Sequence, residues 1–248
     1  MRLVNFVRAD FLKMRGLSLG VAHLVIPLLM NGIFLAYYSY SGWDVNTKIC
    51  AFFQAMGCGY PILIGIFTAT VAEQEQNAGN CQNMLALRHR VTAFLSKFLF
   101  LIFMGAFSVG LTTLIFSLGF EKLLGNTVFD MTTYGIIALV VWCSSIPLYV
   151  WHLFLAFRLG RGAGIGFGIT EGLITTLFLT GMGDFIWKYV PGSWTGRIPY
   201  TYLAGLLEGA GNFEQLRNLF PWYVIVTAGG IVCYLFWAVH WEGGRLAE

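Results

Sequence analysis

Charge is scarce in this sequence. Of 248 residues, 11% are Asp, Glu, Lys or Arg, against 57% hydrophobic and 17% aromatic. A water-facing domain carries about 25% charged residues. The deficit excludes a soluble surface, and the mean hydropathy of +0.71 agrees. Catalytic signatures are also missing. No G-x-x-x-x-G-K-[ST] phosphate loop occurs, so any ATP chemistry must belong to another chain. There is no H-E-x-x-H, no G-x-S-x-G, no paired-glutamate intramembrane protease pattern and no acid pair spaced for hydrolysis inside a span, which argues against a membrane enzyme. The five cysteines, Cys50, Cys58, Cys81, Cys143 and Cys233, are odd in number and include no C-x-x-C. Neither a disulfide framework nor a zinc site is supported, and they read as small buried hydrophobes.

What the chain does have is long apolar runs. About 20 apolar residues cross roughly 30 Å of hydrocarbon, and six runs qualify, near Leu17–Tyr40, Ile49–Ala72, Val91–Leu118, Met131–Phe157, Gly164–Gly183 and Pro221–His240. They are too long and continuous for barrel strands, and unpaired backbone is too costly in lipid for anything but helix. The expected fold is an all-α integral membrane domain of six transmembrane helices filling residues 1–248. Residues 1–16 carry Leu3, Val7, Phe11 and Met14 at helical spacing, with Arg2, Asn5, Arg8 and Lys13 on other sides. That pattern describes an amphipathic helix lying in the membrane interface. It is not a signal peptide, because no small-residue cleavage site follows the first apolar run.

Orientation follows the Lys and Arg residues. One side holds ten: Arg2, Arg8, Lys13, Arg15, Arg88, Arg90, Lys97, Arg158, Arg161 and Arg245. The other holds five: Lys48, Lys122, Lys188, Arg197 and Arg217. Both termini are therefore expected in the cytoplasm.

Between the second and third spans lies the most polar stretch, Glu73 to Lys97, EQEQNAGNCQNMLALRHRVTAFLSK. Glu73 and Glu75 end one span. Asn77, Gly79 and Asn80 favour a turn. Cys81–Arg88 can form a short helix along the membrane surface, with Met84, Leu85 and Leu87 on its apolar side. Arg88, His89 and Arg90 anchor the next span. The residues alone leave two readings open: an elbow over 73–90 that docks into a soluble partner, or a solvated loop with gatekeeping charges.

This segment resembles the cytoplasmic loop between the first two hairpins of type-2 ABC exporter permeases. Glu73, Glu75, Gly79, Leu85, Arg90 and Lys97 occupy the places of that family's paired acids, Gly, Leu-rich short helix, basic residue and span-opening Lys. The run Ala78–Leu85, with Gln82 and Met84, is similar to the short permeases of lantibiotic immunity and bacitracin-type transporters, as is the N-terminal AD-FLK-MRG. The chain departs from the family at Arg88-His89-Arg90, where Pro and Ser often precede the Arg. The resemblance implies a bacterial cytoplasmic-membrane permease subunit with no cofactor of its own. ATP and Mg would sit on separate ABC ATPase chains gripping Glu73, Glu75, Gly79, Gln82, Met84, Leu85 and Arg90. It also implies a second permease, same or related, membrane lipid and a peptide cargo as partners, and no nucleic acid.

Three further features are candidates. Gly160, Gly164, Gly168 and Gly172 recur every four residues, a small-xxx-small ladder for close helix approach. Given the resemblance, this ladder is expected to face the partner permease. Glu171 lies roughly 12 Å into the fifth span at 1.5 Å per residue, and an intramembrane acid is by default a site candidate. It reads either as a pathway or proton-carrying residue or as a packing carboxyl. His23 and Asn31, on one face of the first span, are possible pathway companions, although interhelical hydrogen bonding is their commoner use. Residues 184–220 are expected to be an external loop with short helices, its Trp and Tyr either a cap over the pathway or an interfacial belt. Trp151 and His152 also read as belt residues. The alternative function is an ion-coupled secondary transporter using Glu171, although the internal repeats common in such carriers are absent.

Overall fold

The computed structural model describes residues 3–14, 19–87, 89–209 and 211–243. Arg2, Arg15, Arg88 and Arg245, four of the cations used for orientation, lie outside these residues, as does Leu17. Every regular element among the described residues is helical. The long helices are α1 (Leu3–Met14), α2 (Leu19–Tyr40), α3 (Val45–Asn77), α5 (Arg90–Lys122), α6 (Met131–Leu159), α7 (Arg161–Phe178), α8 (Trp194–Glu208) and α9 (Gly211–His240), with a single-turn α4 (Gln82–Leu85) between α3 and α5.

Among the described residues, five helices are long and apolar enough to cross a membrane: α2, α3, α5, α6 and α9. This is a multi-pass membrane fold. The expected fifth span, α7, falls outside that set. It has 18 residues, and Arg161, Glu171 and five glycines dilute its hydropathy. The capping is local and legible. Asp44 starts α3 by accepting from Asn46 N (2.8 Å) and Thr47 N (3.1 Å), and Asp130 starts α6 by accepting from Thr133 N (3.1 Å), the standard use of a short acid at an N-cap. Hydrogen bonding holds both carboxyls below the usual carboxylate range, through the Thr47 hydroxyl for Asp44 and the Thr133 hydroxyl for Asp130.

Helix α3 is the hub, packing on α7, α6 and α8, while α5 packs on α6, α2 and α1. The glycine ladder explains the closest of these contacts. A Cβ on Gly168 would lie 2.8 Å from Pro61 O, one on Gly172 would lie 2.9 Å from Cys58 O, and one on Gly65 would lie 2.7 Å from Gly164 O. Residue numbers fall along α3 as they rise along α7, so the two helices run antiparallel, backbone against backbone. The ladder is thus used inside the chain, against α3. This corrects the expectation that Gly164, Gly168 and Gly172 face a second permease. Gly160 is not part of the ladder face: at φ 88° it ends α6 and starts α7.

Beyond α7 the segment expected as a loop with short helices is mostly helical. Three short 3-10 turns, Gly181–Gly183, Trp187–Tyr189 and Pro191–Ser193, lead into α8, and residues 211–220 belong to α9. Trp187 and Trp194 are fully buried rather than belt residues, and they pack with Phe178 and Leu219. Helix α8 lies end to end with α7 along α3: Gly196 abuts Thr175 on one side and Gly57 on the other.

Two prolines provide docking points for this arrangement. A proline inside a helix has no N–H for the carbonyl four residues back. Pro61 in α3 thereby frees Gly57 O, which accepts from Thr195 Oγ1 of α8 at 2.9 Å. Pro147 in α6 frees Cys143 O, which accepts from Tyr223 OH of α9 at 2.6 Å. The Ser144 and Ser145 hydroxyls bond back to Val141 O and Trp142 O. Helices α6 and α9 run parallel: Cys143 meets Tyr223 near one end and Phe157 meets Trp241 near the other, with ring centroids 5.7 Å apart.

Candidate functional site: an elbow on an ion-paired base

The elbow begins where α3 ends. Gly79, Asn80 and Cys81 take φ of 111°, 52° and 61° in succession. A non-Gly residue with positive φ is uncommon, and Asn tolerates it better than most, so the Gly-Asn pair makes this reversal cheap. The chain then turns once through α4 and enters α5. The surface helix expected over Cys81–Arg88 is shorter than predicted. Helix α4 covers only Gln82–Leu85, and Arg88 lies outside the described residues.

The elbow has two faces. Asn77, Ala78, Gly79, Asn80, Gln82, Asn83 and Ala86 are exposed, whereas Glu75, Cys81 and Met84 are buried. Of the expected contact residues, Gly79 and Gln82 are therefore available to a partner, while Glu75 and Met84 are part of the base. Leu85 is half-buried, its Cδ1 beside Gly243. Arg90 ties the arrangement together: Nε donates to Leu85 O and Nη1 to Trp241 O, both at 3.0 Å. One side chain thus holds the elbow, the start of α5 and the end of α9.

Beneath it lies a cluster the sequence reading missed. Glu75, 3% exposed, takes Lys97 Nζ at 2.7 Å and Lys13 Nζ at 2.5 Å on one carboxylate oxygen. Lys97, also 3% exposed, reaches Asp10 Oδ1 at 2.9 Å, and Ser96 Oγ donates to the other Asp10 oxygen. Two acids and two lysines therefore close a neutral network joining α1, α3 and α5. Burial would push the Glu75 carboxyl up, but Lys97 and Lys13 more than offset that and hold it below the usual carboxylate range. Burial, then the Glu75 charge, pushes the Cys81 thiol up to about 11, so it stays a protonated, inert thiol at neutral pH. The missed signal was present in the sequence: Lys97 interrupts the apolar run that opens α5, and Asp10 interrupts α1. A long apolar neighbourhood tolerates such charges only as pairs. At the edge, Arg161 forks onto Glu73, 3.0 and 2.8 Å to its two oxygens, joining α7 to α3.

The three intramembrane candidates do not converge. Glu171 pairs with His152 Nε2 of α6 at 2.6 Å, so His152, fully buried, is not a belt residue. His23 stacks on Phe67 with centroids 4.1 Å apart, and its Nδ1 lies 2.8 Å from Leu19 O. Asn31 donates to Pro27 O and to Thr112 O, at 2.9 and 3.1 Å. His23 lines a cavity of about 320 Å³ with Tyr60 and Tyr149, whereas Glu171 lines a separate one of about 450 Å³ with Trp151 and Trp237.

An elbow set on a charge-paired base between two hairpins agrees with what comparison finds. Residues 6–180 match the family model described as ABC-2 family transporter protein. The chain belongs to the ABC-2 transporter family. The match spans α1 to α7, including the elbow and the whole ion network. No curated protein and no solved structure matches the chain. ABC-2 membership makes this a membrane transport subunit and implies association with ABC ATPase subunits.

Proposed function

We propose that this ABC-2 protein is the permease of an ATP-driven exporter, moved by separate ATPase chains that seat on the elbow rim at Gly79, Asn80, Gln82 and Asn83. The observation that carries this reading is the division of the elbow. Its rim is polar and free, while its base is fixed to three helices by Glu75, Lys97, Asp10 and Lys13. A rim load passes into α1, α3 and α5 together, because breaking a buried ion pair costs about 3–5 kcal/mol. ATP and Mg belong to the partner chains, and a second permease, same or related, completes the transporter. The elbow end faces the cytoplasm of a bacterial inner membrane. Helices α7 and α8 together make the sixth crossing, since α6 and α9 run in the same direction and the chain must return between them. The resemblance of Ala78–Leu85 to lantibiotic-immunity permeases supports an amphipathic antimicrobial peptide as cargo, expelled from the membrane.

The test is co-purification with an ABC ATPase co-expressed with this chain. Gln82→Asp with Asn83→Asp is expected to abolish ATPase recovery and export while leaving the permease folded. Retention of the complex sinks the elbow assignment. Export that persists in ATP-depleted vesicles under an imposed proton gradient would instead favour an ion-coupled carrier working through Glu171.

A further inference from the structure

Hydrogen-bond accounting around Glu171 leads to a binding site independent of the elbow. His152 Nε2 lies 2.6 Å from Glu171 Oε2, while His152 Nδ1 is buried without a partner. An imidazolium carries an N–H at each nitrogen and would bury an unpaired donor at Nδ1. A protonated Glu171 donating to Nε2 would also force the ring proton onto Nδ1, with the same result. An orphaned buried donor costs about 1–3 kcal/mol. A neutral ring giving its Nε2–H to Glu171 Oε2 orphans no buried donor and leaves the second carboxyl oxygen unused. Among the described residues no Lys or Arg pairs with Glu171, and its second oxygen accepts no hydrogen bond. An acidic side chain thus stands without a counter-cation in an apolar bundle, where an ionised acid is costly until a cation reaches it.

That carboxylate faces the cavity of about 450 Å³ between α6, α7 and α9. Its wall is otherwise largely apolar and aromatic, with Trp151, Phe154, Tyr234 and Trp237 among its lining. Trp151 and Cys233 line it and are exposed, so it opens sideways between α6 and α9. The volume lies at the low end of the roughly 300–1,000 Å³ of drug-sized sites, too small for a two-chain phospholipid. The geometry points to a site for a single-chain amphiphilic cation, its protonated primary amine on Glu171 and its apolar chain among the four aromatic rings. Indole faces add cation–π attraction for the same head.

The probe is dodecylamine, with dodecanol as its uncharged counterpart, added to the full chain in phosphatidylglycerol nanodiscs. The readout is modification of Cys233 by pyrene maleimide, measured by mass spectrometry of its peptide, with Cys50 as the reference thiol outside the cavity. Dodecylamine is expected to slow Cys233 modification and spare Cys50, at concentrations well below those at which dodecanol acts. Glu171→Gln should raise the amine concentration required by at least about tenfold, the loss of one charge-assisted contact. Gly230→Leu should abolish protection by either compound: a Cβ there meets nothing closer than Val150 Cγ1 at 3.8 Å, so the side chain fills the cavity without touching Glu171. Equal potency of amine and alcohol on the wild-type chain, an unchanged Glu171→Gln response, or protection that survives Gly230→Leu would each overturn the assignment. Should Glu171→Gln fail to fold, the amine–alcohol comparison and Gly230→Leu still decide it.

Discussion

At the scale of single residues, the most consequential side chain is Glu75. Its two lysine partners hold its carboxyl below the ordinary carboxylate range against the opposing effect of burial. A carboxyl depressed in the folded state contributes stability that is fully present above its unfolded value, about 4.3. That contribution is lost as pH falls through the folded value. Thermal unfolding of the purified chain in detergent should be flat from about pH 7 to 5 and fall steeply below about pH 4.5. Asp44 and Asp130 act with the same sign, so the measurement that isolates Glu75 is the difference against Glu75→Gln. The variant is expected to be less stable at pH 7 and to show a shallower acid limb. An acid limb identical in the two proteins would mean that the Glu75 network does not hold the fold. Little of this was legible from the sequence. The acid was noticed as part of a motif, but pairing over 22 and 62 positions depends on which helices become neighbours, and helical periodicity is silent on that.

At the scale of elements, prolines and glycines set how the helices meet. The glycine spacing was read correctly as a close approach. What it could not name was the partner: Gly164, Gly168 and Gly172 are as compatible with a second chain as with α3. Only the matching gap at Gly65, with Pro61 O and Cys58 O beside it, decides for α3. The same holds for Pro147. Its missing N–H was predictable, whereas the donor that answers it, Tyr223 of α9, was not. Here a double-mutant cycle gives a specific expectation. Tyr223→Phe leaves Cys143 O unbonded and should cost about 0.6–2 kcal/mol of stability, the range of interhelical hydrogen bonds in membranes. Pro147→Ala restores an N–H that can reach the same carbonyl from within α6. In the Pro147→Ala background the Tyr223→Phe cost should shrink toward zero. Additive effects in chemical denaturation would show that the tyrosine does not serve the proline-freed carbonyl.

At the scale of the whole molecule the question is parity. Hydropathy suggested six spans, yet among the described residues five helices are long and apolar enough to cross. The discrepancy has a physical source. Helix α7 spends its surface on glycines that fit α3 and on Glu171, so a scale that scores each residue for lipid exposure undervalues it. Helix α8 was expected as a short helix within a loop, and Gly196, Arg197 and Pro199 crowd its first turns; yet Arg197 bonds to Phe178 O and Thr180 O, satisfying carbonyls at the end of α7, and becomes buried by doing so. Helices α6 and α9 run parallel, so a chain in which α7 and α8 did not cross would put the start of α9 on the elbow side. Cysteine accessibility in intact cells separates the two arrangements. Thr127→Cys, in the α5–α6 loop, should react with a membrane-impermeant maleimide, and Asn80→Cys on the elbow rim should react only after permeabilisation. The native Cys81 stays silent in both conditions, being buried and protonated. Glu208→Cys is the deciding position, exposed at the end of α8. It is expected to react without permeabilisation, like Thr127→Cys. If it reacts only alongside Asn80→Cys, α7 and α8 turn back within the membrane, and the composite sixth crossing is lost.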